Sequence, residues 1–289
     1  LTAGFLMANV FGQRECATDL KMKEFYTRNP QALAKKEDLR NYLTSKNANT
    51  MAKNGQTVVT IPVVVHVLYG SAAQNISDAQ IASQIAILNN DFRKLNPNFS
   101  SVVPDAFKPY AADMELTFCM ATKTPTGAST TGIERKSVAA NFDFANQYYL
   151  ASGLTAWDPT KYLNIWVGNM PNPYLGWAYL PDAAGFPEDG LAIGYKYFGT
   201  TGAAQYPYNG GRTATHEIGH YFGLLHPWGE DGSLCNTPDN DDGCADTPAI
   251  NDAHYGGNVF PDNGFMCNPT ANGAMFMNFM DYVTDTEMA

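Results

Sequence analysis

Three of the five histidines in this 289-residue chain, His216, His220 and His226, fall within eleven residues. They belong to the run Thr215-His216-Glu217-Ile218-Gly219-His220-Tyr221-Phe222-Gly223-Leu224-Leu225-His226. On a helix of about 3.6 residues per turn, His216 and His220 stand one turn apart on one face, so both imidazoles reach a single ion at about 2.0–2.1 Å. Gly223 lets the backbone leave that helix sharply, and His226 then swings back as a third ligand. Three neutral nitrogens leave a fourth position for water, which marks a catalytic zinc site rather than a structural one. Glu217 falls beside the metal without ligating it, placed to act as general base. The chemistry is hydrolysis: zinc lowers the pKa of its water toward about 7 and polarises a carbonyl, while the carboxylate takes the proton. The five residues HEIGH alone meet often by accident; with histidine this scarce, the full run does not.

Such a site needs elements to hold it. Residues 212–224 fit helical spacing and carry the histidines. The block 57–69 (TVVTIPVVVHVLY) is β-branched and nearly continuously apolar, which predicts a strand buried on both faces. His66, among its valines, reads as a satisfied core histidine. Ser77 stands before Ile81, Ile85, Leu88 and Phe92, spaced by three and four, which predicts an N-capped amphipathic helix. Further strands are expected at 114–121, 162–167 and 191–195, between Pro- and Gly-rich turns. Strand followed by helix implies an α/β layer. After Pro227 the composition turns to Asp, Asn, Gly and Cys with little periodicity, so a subdomain boundary falls near His226. His254, in that region, has no partner at ligand spacing.

The flanks are different. Residues 1–12 (LTAGFLMANVFG) are apolar and uncharged and resemble the tail of a secretory signal peptide, which implies a secreted protein. Residues 13–54 are charged and Lys-rich with only short helical stretches, and read as a pro-segment or linker. Lys46 and Lys53 offer cutting sites between Arg40 and Gly55. The domain proper then covers 55–289. Five cysteines, Cys16, Cys119, Cys235, Cys244 and Cys267, leave one over. Cys16 is the odd one, upstream of the domain; a thiolate binds zinc at about 2.3 Å and displaces the water that does the chemistry, which would make the pro-segment the chain's own inhibitor. The formal charge of −10 argues against nucleic acid or an anionic membrane as partner. Asp239, Asp241, Asp242 and Asp246 crowd one loop; hard oxygen ligands there suit calcium, although no EF-hand register is present and solvated turns fit the composition as well.

HEIGHYFGLLH is similar to the metzincin zinc signature, and Asn278-Phe279-Met280-Asp281-Tyr282 looks like its Met-turn. Together with DGCADTP at 242–248 and the FCMA strand around Cys119, the combination resembles the pappalysin-like bacterial metallopeptidases from about residue 57 to the last. The resemblance implies a zinc endopeptidase acting on proteins or peptides. It implies an α/β (α+β) metzincin fold: a twisted mixed sheet with a backing helix and an active-site helix in an upper subdomain, 55–226, over an irregular, disulfide- and calcium-stabilised lower subdomain, 227–289. By that resemblance Met280 forms the floor under the zinc, and Tyr282 helps stabilise the oxyanion. Asp242 and the carbonyls of Cys244 and Thr247 hold a structural calcium. Residues 191–195 form the antiparallel edge strand that pairs with substrate. Asp285 supplies a countercharge to a basic residue just after the scissile bond, with Thr286 the alternative occupant of that place, and latent forms among metzincins carry a cysteine on the metal. The family chain usually continues past the Met-turn with a cysteine and a closing helix, so the lower subdomain reads as truncated. Two other readings share the motif. A non-catalytic zinc-stabilised module would have no use for Glu217, and the third histidine with the Met-turn argues against a zinc amidase or deacetylase for small molecules.

Overall fold

The apolar block near residue 60 folds as strand β1 (Val59–Tyr69), which pairs with three other strands of a six-stranded sheet. Its side chains alternate between the two faces, as a period of two requires. Val63, Val65 and Val67 enter one core, and Leu68 enters another. Strand β2 (Leu116–Met120) pairs with the first half of β1 and β3 (Ile133–Ser137) with the second half, both parallel. On the other side β1 is parallel to β4 (Leu163–Gly168), which is parallel to β6 (Leu191–Gly194). The three-residue β5 (Gly176–Ala178) closes that side, antiparallel to β6. The structure is a computed structural model describing residues 13–45, 58–229, 235 and 242–289. Expectations for residues 1–12, for Lys46 and Lys53, and for Asp239 and Asp241 lie outside the described residues.

The edge strand is therefore not residues 191–195. Its strand residues, Leu191–Gly194, are fully buried and lie between β4 and β5, so both edges are taken. The edge role falls to Gly-Trp-Ala of β5, too short for a hydrophobic period to reveal.

One face of the sheet is covered by α3 (Asp78–Asp91) and α6 (Arg212–Tyr221). Ser77 caps α3 as expected, its hydroxyl accepting from the Gln80 amide at 3.2 Å. Ile81, Ile85 and Leu88 of α3 meet Ala214 and Ile218 of α6 over the β1, β4 and β6 valines and isoleucines. Each fully buried aliphatic side chain of this kind contributes about 1.5–3 kcal/mol. One-turn helices α4 (Phe99–Val102) and α5 (Phe144–Gln147) lie in the connections.

The other face is aromatic: Tyr148, Trp166, Trp177 and Tyr179 form its core with Ala17, Met22 and Phe25. The last three belong to the segment read as a pro-segment or linker with short helical stretches. It forms two consecutive helices, α1 (Thr18–Arg28) and α2 (Pro30–Ser45), the second begun by a proline at its first position. Its charged residues disguise this: Lys23, Glu24 and Lys35 point outward, while Met22 and Phe25, three apart, face the domain, with Lys21 buried beside them.

After His226 the described chain has turns and bends and no helix or strand, as the composition implied. Two small apolar clusters hold it, one around Phe276, Met277 and Val283 and one around Trp228, Ile250 and Tyr282. Cys235 is bridged to Cys267. Cys16 and Cys119 both carry free thiols, so the expectation of a single leftover cysteine was wrong. Sequence counting gives parity, not connectivity.

Candidate metal centre

Helix α6 is fixed before it presents any ligand. From its first turn Arg212 donates to Asp91 of α3 at 2.6 Å, and the Thr215 hydroxyl donates to the other oxygen of the same carboxylate at 2.6 Å. His216 and His220 then face the cleft. The helix ends at Gly223, whose φ of 94° suits only glycine, and the chain turns back to bring in His226. All three imidazoles are buried.

Their Nε2 atoms converge: His220 lies 3.2 Å from His216 and 3.0 Å from His226. The outward nitrogens are committed, with His216 Nδ1 donating to the Phe279 carbonyl at 2.7 Å and His220 Nδ1 to the Leu224 carbonyl at 2.8 Å. A neutral ring that donates from Nδ1 carries its lone pair on Nε2. Several lone pairs aimed at one point about 3 Å apart repel unless a cation lies among them, and neutral imidazole nitrogen is the donor zinc prefers. The residues present thus fit a bound metal. Burial, reinforced by the neighbouring histidines, pushes His216 well below the ordinary imidazole range and His220 to about 3, which keeps both rings neutral. His226 stacks on Trp228 at 4.5 Å, and its Nδ1 lies 3.2 Å from the Asp19 carboxylate of α1.

Glu217 is fully buried, and burial pushes its carboxyl up to about 8 against hydrogen bonds from Cys16 and Thr18. One oxygen takes those contacts, from Thr18 Oγ1 at 3.2 Å and Cys16 Sγ at 3.4 Å. The other, Oε1, is buried without a hydrogen-bond partner. Gly176 of β5 makes room for this side chain, since a Cβ there would meet Oε1 at 3.0 Å.

The Met-turn lies below. The Met280 sulfur packs against Gly219 so closely that a Cβ at that glycine would overlap it. The Tyr282 ring stands 5.7 Å from His216 and 5.1 Å from His226. Its hydroxyl accepts from the Cys16 amide at 3.3 Å. Between them Asp281 accepts from the His254 amide at 2.8 Å, from His254 Nδ1 at 2.7 Å and from the Tyr282 amide at 2.7 Å. His254, given no role by spacing, pins the Met-turn. His66 is the core histidine expected, bonded to Glu134 at 2.9 Å and Asn164 at 3.0 Å.

The N-terminal segment lies along β5. The Leu175 amide donates to the Glu15 carbonyl at 2.8 Å and the Ala17 amide to the Gly176 carbonyl at 2.9 Å, with Cys16 opposite Gly176 in parallel register. Cys16 Sγ and the three histidine nitrogens all lie within 4.8 Å of one another. Burial, with Glu217 adding to it, pushes the thiol well above its ordinary value, so a thiolate forms there only with a cation in reach. Two residues earlier, Arg14 forms a buried ion pair with Asp285, donates from Nε to the Val283 carbonyl at 3.2 Å and lies over the Tyr208 ring at 5.0 Å.

One cleft therefore gathers Cys16, His216, Glu217, His220, His226, Met280, Tyr282 and Asp285. Asp242, Cys244 and Thr247 lie elsewhere, on a cavity behind the Met-turn that also touches Thr215 and Gly219. There the Asp242 side chain accepts from the Cys244 amide at 2.9 Å, and the Cys244 carbonyl accepts from the Thr247 amide at 3.1 Å. The spacing of residues could not reveal Gly176, Gly219, His254 or Asp91, because each acts on a partner far along the chain.

Residues 151–289 match the peptidase family model described as Pregnancy-associated plasma protein-A. Mature mirolysin of Tannerella forsythia, solved in complex with a cleaved peptide, is 43% identical; the match covers 81% of this chain and 87% of that one, with a TM-score of 0.76. A promirolysin mutant of the same organism is 37% identical, covering 95% of this chain and 89% of that one, with a TM-score of 0.84. An extracellular metalloprotease of Podospora anserina is 29% identical over 271 residues, 91% of this chain and 78% of its own length.

Proposed function

The chain belongs to the pappalysin-like metzincin metallopeptidases, and from that premise we propose that it is a secreted zinc endopeptidase held latent by its own N-terminal segment. The observation that carries the reading is the convergence of three imidazole Nε2 atoms beside a buried carboxylate oxygen that has no partner. His216, His220 and His226 would hold the zinc, which when bound supplies Lewis acidity toward a carbonyl and toward water. Glu217 takes the proton of the attacking water at Oε1 and returns it to the leaving amine. The Tyr282 hydroxyl donates to the carbonyl oxygen as that atom gains charge. Met280, wedged on Gly219, keeps α6 and the floor of the site in register.

Substrate would lie along β5, using the backbone groups that the segment now occupies: the Gly176 carbonyl, which accepts from Ala17, and the Ala178 amide, which donates to Thr18 Oγ1 at 2.9 Å. Asp285 would receive a basic side chain after the scissile bond, and the buried Arg14 contact supports this by showing that a guanidinium fits. Latency would rest on Cys16 as fourth metal ligand and on Thr18 against Glu217. The proposed boundaries are a signal remnant at 1–12, a pro-segment at 13–54 and a catalytic domain at 55–289 divided near His226. Calcium at Asp242, Cys244 and Thr247 rests on oxygen-donor chemistry. Protein and peptide substrates, with neither nucleic acid nor membrane as partner, accord with the net charge.

The test is a peptide library presented to the zinc-loaded chain after cleavage in the 40–55 region. Wild type should cleave before Arg or Lys, while Glu217→Ala should keep its zinc and lose at least about a hundredfold in turnover, the lower range for a lost general base. Near-wild-type activity in that variant would give the base role to another group. A profile without basic enrichment would remove the role of Asp285.

A further inference from the structure

Past Cys16 the segment turns into α1 and covers a second surface, away from the metal. Phe25 is completely buried there, edge-on to Tyr179 at 5.7 Å and to Phe186 at 4.9 Å. Met22 Sδ accepts from the Leu180 amide at 3.4 Å, and the Lys21 ammonium lies over the Trp177 ring at 5.3 Å. Arg28 reaches Glu188 at 3.2 Å and donates to the Tyr149 hydroxyl at 3.3 Å. Glu188 is only 4% exposed with Arg28 seated against it, so the domain offers a carboxylate where α1 places a guanidinium. The mature mirolysin chain matches a smaller share of this chain than the pro-form does, 81% against 95%, which fits a fold that stands without this segment.

We propose that the groove under α1, formed by Trp177, Tyr179, Leu180, Phe186 and Glu188, is an extended substrate subsite that takes an aromatic side chain, with a neighbouring basic residue reaching Glu188. This rests on the peptidase reading. The groove continues the β5 edge without a break, since Ala178 meets Thr18 and the next residues, Tyr179 and Leu180, meet Phe25 and Met22. A peptide paired with β5 runs directly into it. Arg14 on Asp285 marks the side after the cut, so α1, on the other side of Cys16, covers the side before it. Phe25 is seven residues along a helix from Thr18, about 10 Å at 1.5 Å per residue, a span that an extended chain crosses in about three residues. The aromatic residue therefore falls roughly four to six positions before the scissile bond, counting the few residues that pair with β5.

The experiment uses the full-length, zinc-loaded chain activated by cleavage in the 40–55 region. Peptides share one cleavage sequence with Arg after the cut and carry Phe or Ala at each position three to seven before it. A rise of about tenfold in kcat/KM for Phe at one of positions four to six, mostly in KM, supports the subsite; that is the discrimination an apolar pocket gives. Phe186→Ala should bring the Phe peptide toward its Ala counterpart, and Phe186→Leu should restore part of the difference. Cleavage with Phe and Ala equivalent at every position overturns the proposal and leaves the peptidase reading intact. Self-association of the activated chain that Phe186→Ala abolishes, without a Phe preference, assigns the groove to a second copy and also overturns it. Failure to cleave any peptide sinks the peptidase reading and this inference with it.

Discussion

Cys16 and Thr18 occupy the two groups that hydrolysis would need, the metal face and Glu217: Cys16 is bridged to Gly176 of β5 in parallel register, and Thr18 opens α1. Two contacts on one short stretch would give the proposed latency two supports, of which the thiol is the one that competes with water for a metal. Cys16→Ala should release activity from the uncut chain and speed self-processing, measured as peptide turnover and as the rate at which the 13–54 segment is lost. Unchanged latency and unchanged processing would place inhibition in Thr18, in the Arg14 contact or in α1 instead. At this scale the sequence was highly legible, because His216, Glu217 and His220 act at helical spacing and need no distant partner to be recognised. His226 needed only a glycine exit. Gly176, Gly219 and His254 were illegible for the opposite reason: a missing Cβ or a buried carboxylate partner has meaning only once the chain is folded.

Helix α6 carries His216 and His220, the first two proposed ligands, and two features fix its place. Below it, the Met280 sulfur fills the space that a side chain at Gly219 would need. Gly219→Ala should cost about 1–3 kcal/mol, as overpacking does, and should weaken metal retention along with stability; urea melts and chelator competition read the two effects separately. A variant as stable as wild type would mean that the Met-turn yields easily. At its first turn, Asp91 of α3 takes Arg212 and Thr215, yet burial pushes its carboxyl up to about 6 despite both partners. An unfolded carboxyl titrates near about 3.9, so the folded chain binds this proton more tightly; the stability it adds is complete below about pH 4 and is lost as pH rises through about 6. Asp91→Asn lacks that titration. The advantage in unfolding free energy of wild type over the variant should therefore shrink between about pH 4 and pH 6; a flat difference would leave the Asp91 pKa at its ordinary value, and a growing one would place it below. Among the elements, β1, α3, β4 and α6 were readable from long apolar periods. β3 was not, because Ile133–Ser137 is polar and half exposed, and β5 was not, because three residues carry no period.

The two parts of the molecule are unequal in regular structure: a mostly parallel sheet with packed helices stands above turns, two small apolar clusters and the Cys235–Cys267 bridge. The α/β character of the first part followed from the strand-then-helix pattern, and the irregularity of the second from composition. The disulfide did not, since pairing depends on which loops meet. His226 lies where the sheet-bearing part passes into the turns, and Tyr282, Trp228 and the Phe279 carbonyl approach the three histidines from the lower side. A metal bound there ties α6 to the Met-turn, so its binding free energy counts toward the stability of both parts. At a free zinc concentration a thousand times the dissociation constant, linkage contributes about 4 kcal/mol. For a chain of this size that corresponds to a shift in Tm of roughly 10 °C. Removing zinc from the full-length chain with a chelator should lower Tm by about that much, with heat-induced unfolding remaining one transition if the parts are coupled as described. His220→Ala, which lacks a ligand, should melt at the lower temperature and respond little to zinc or chelator. A chelated wild type that melted where the zinc-loaded chain does would show that the three histidines do not carry metal in the folded protein.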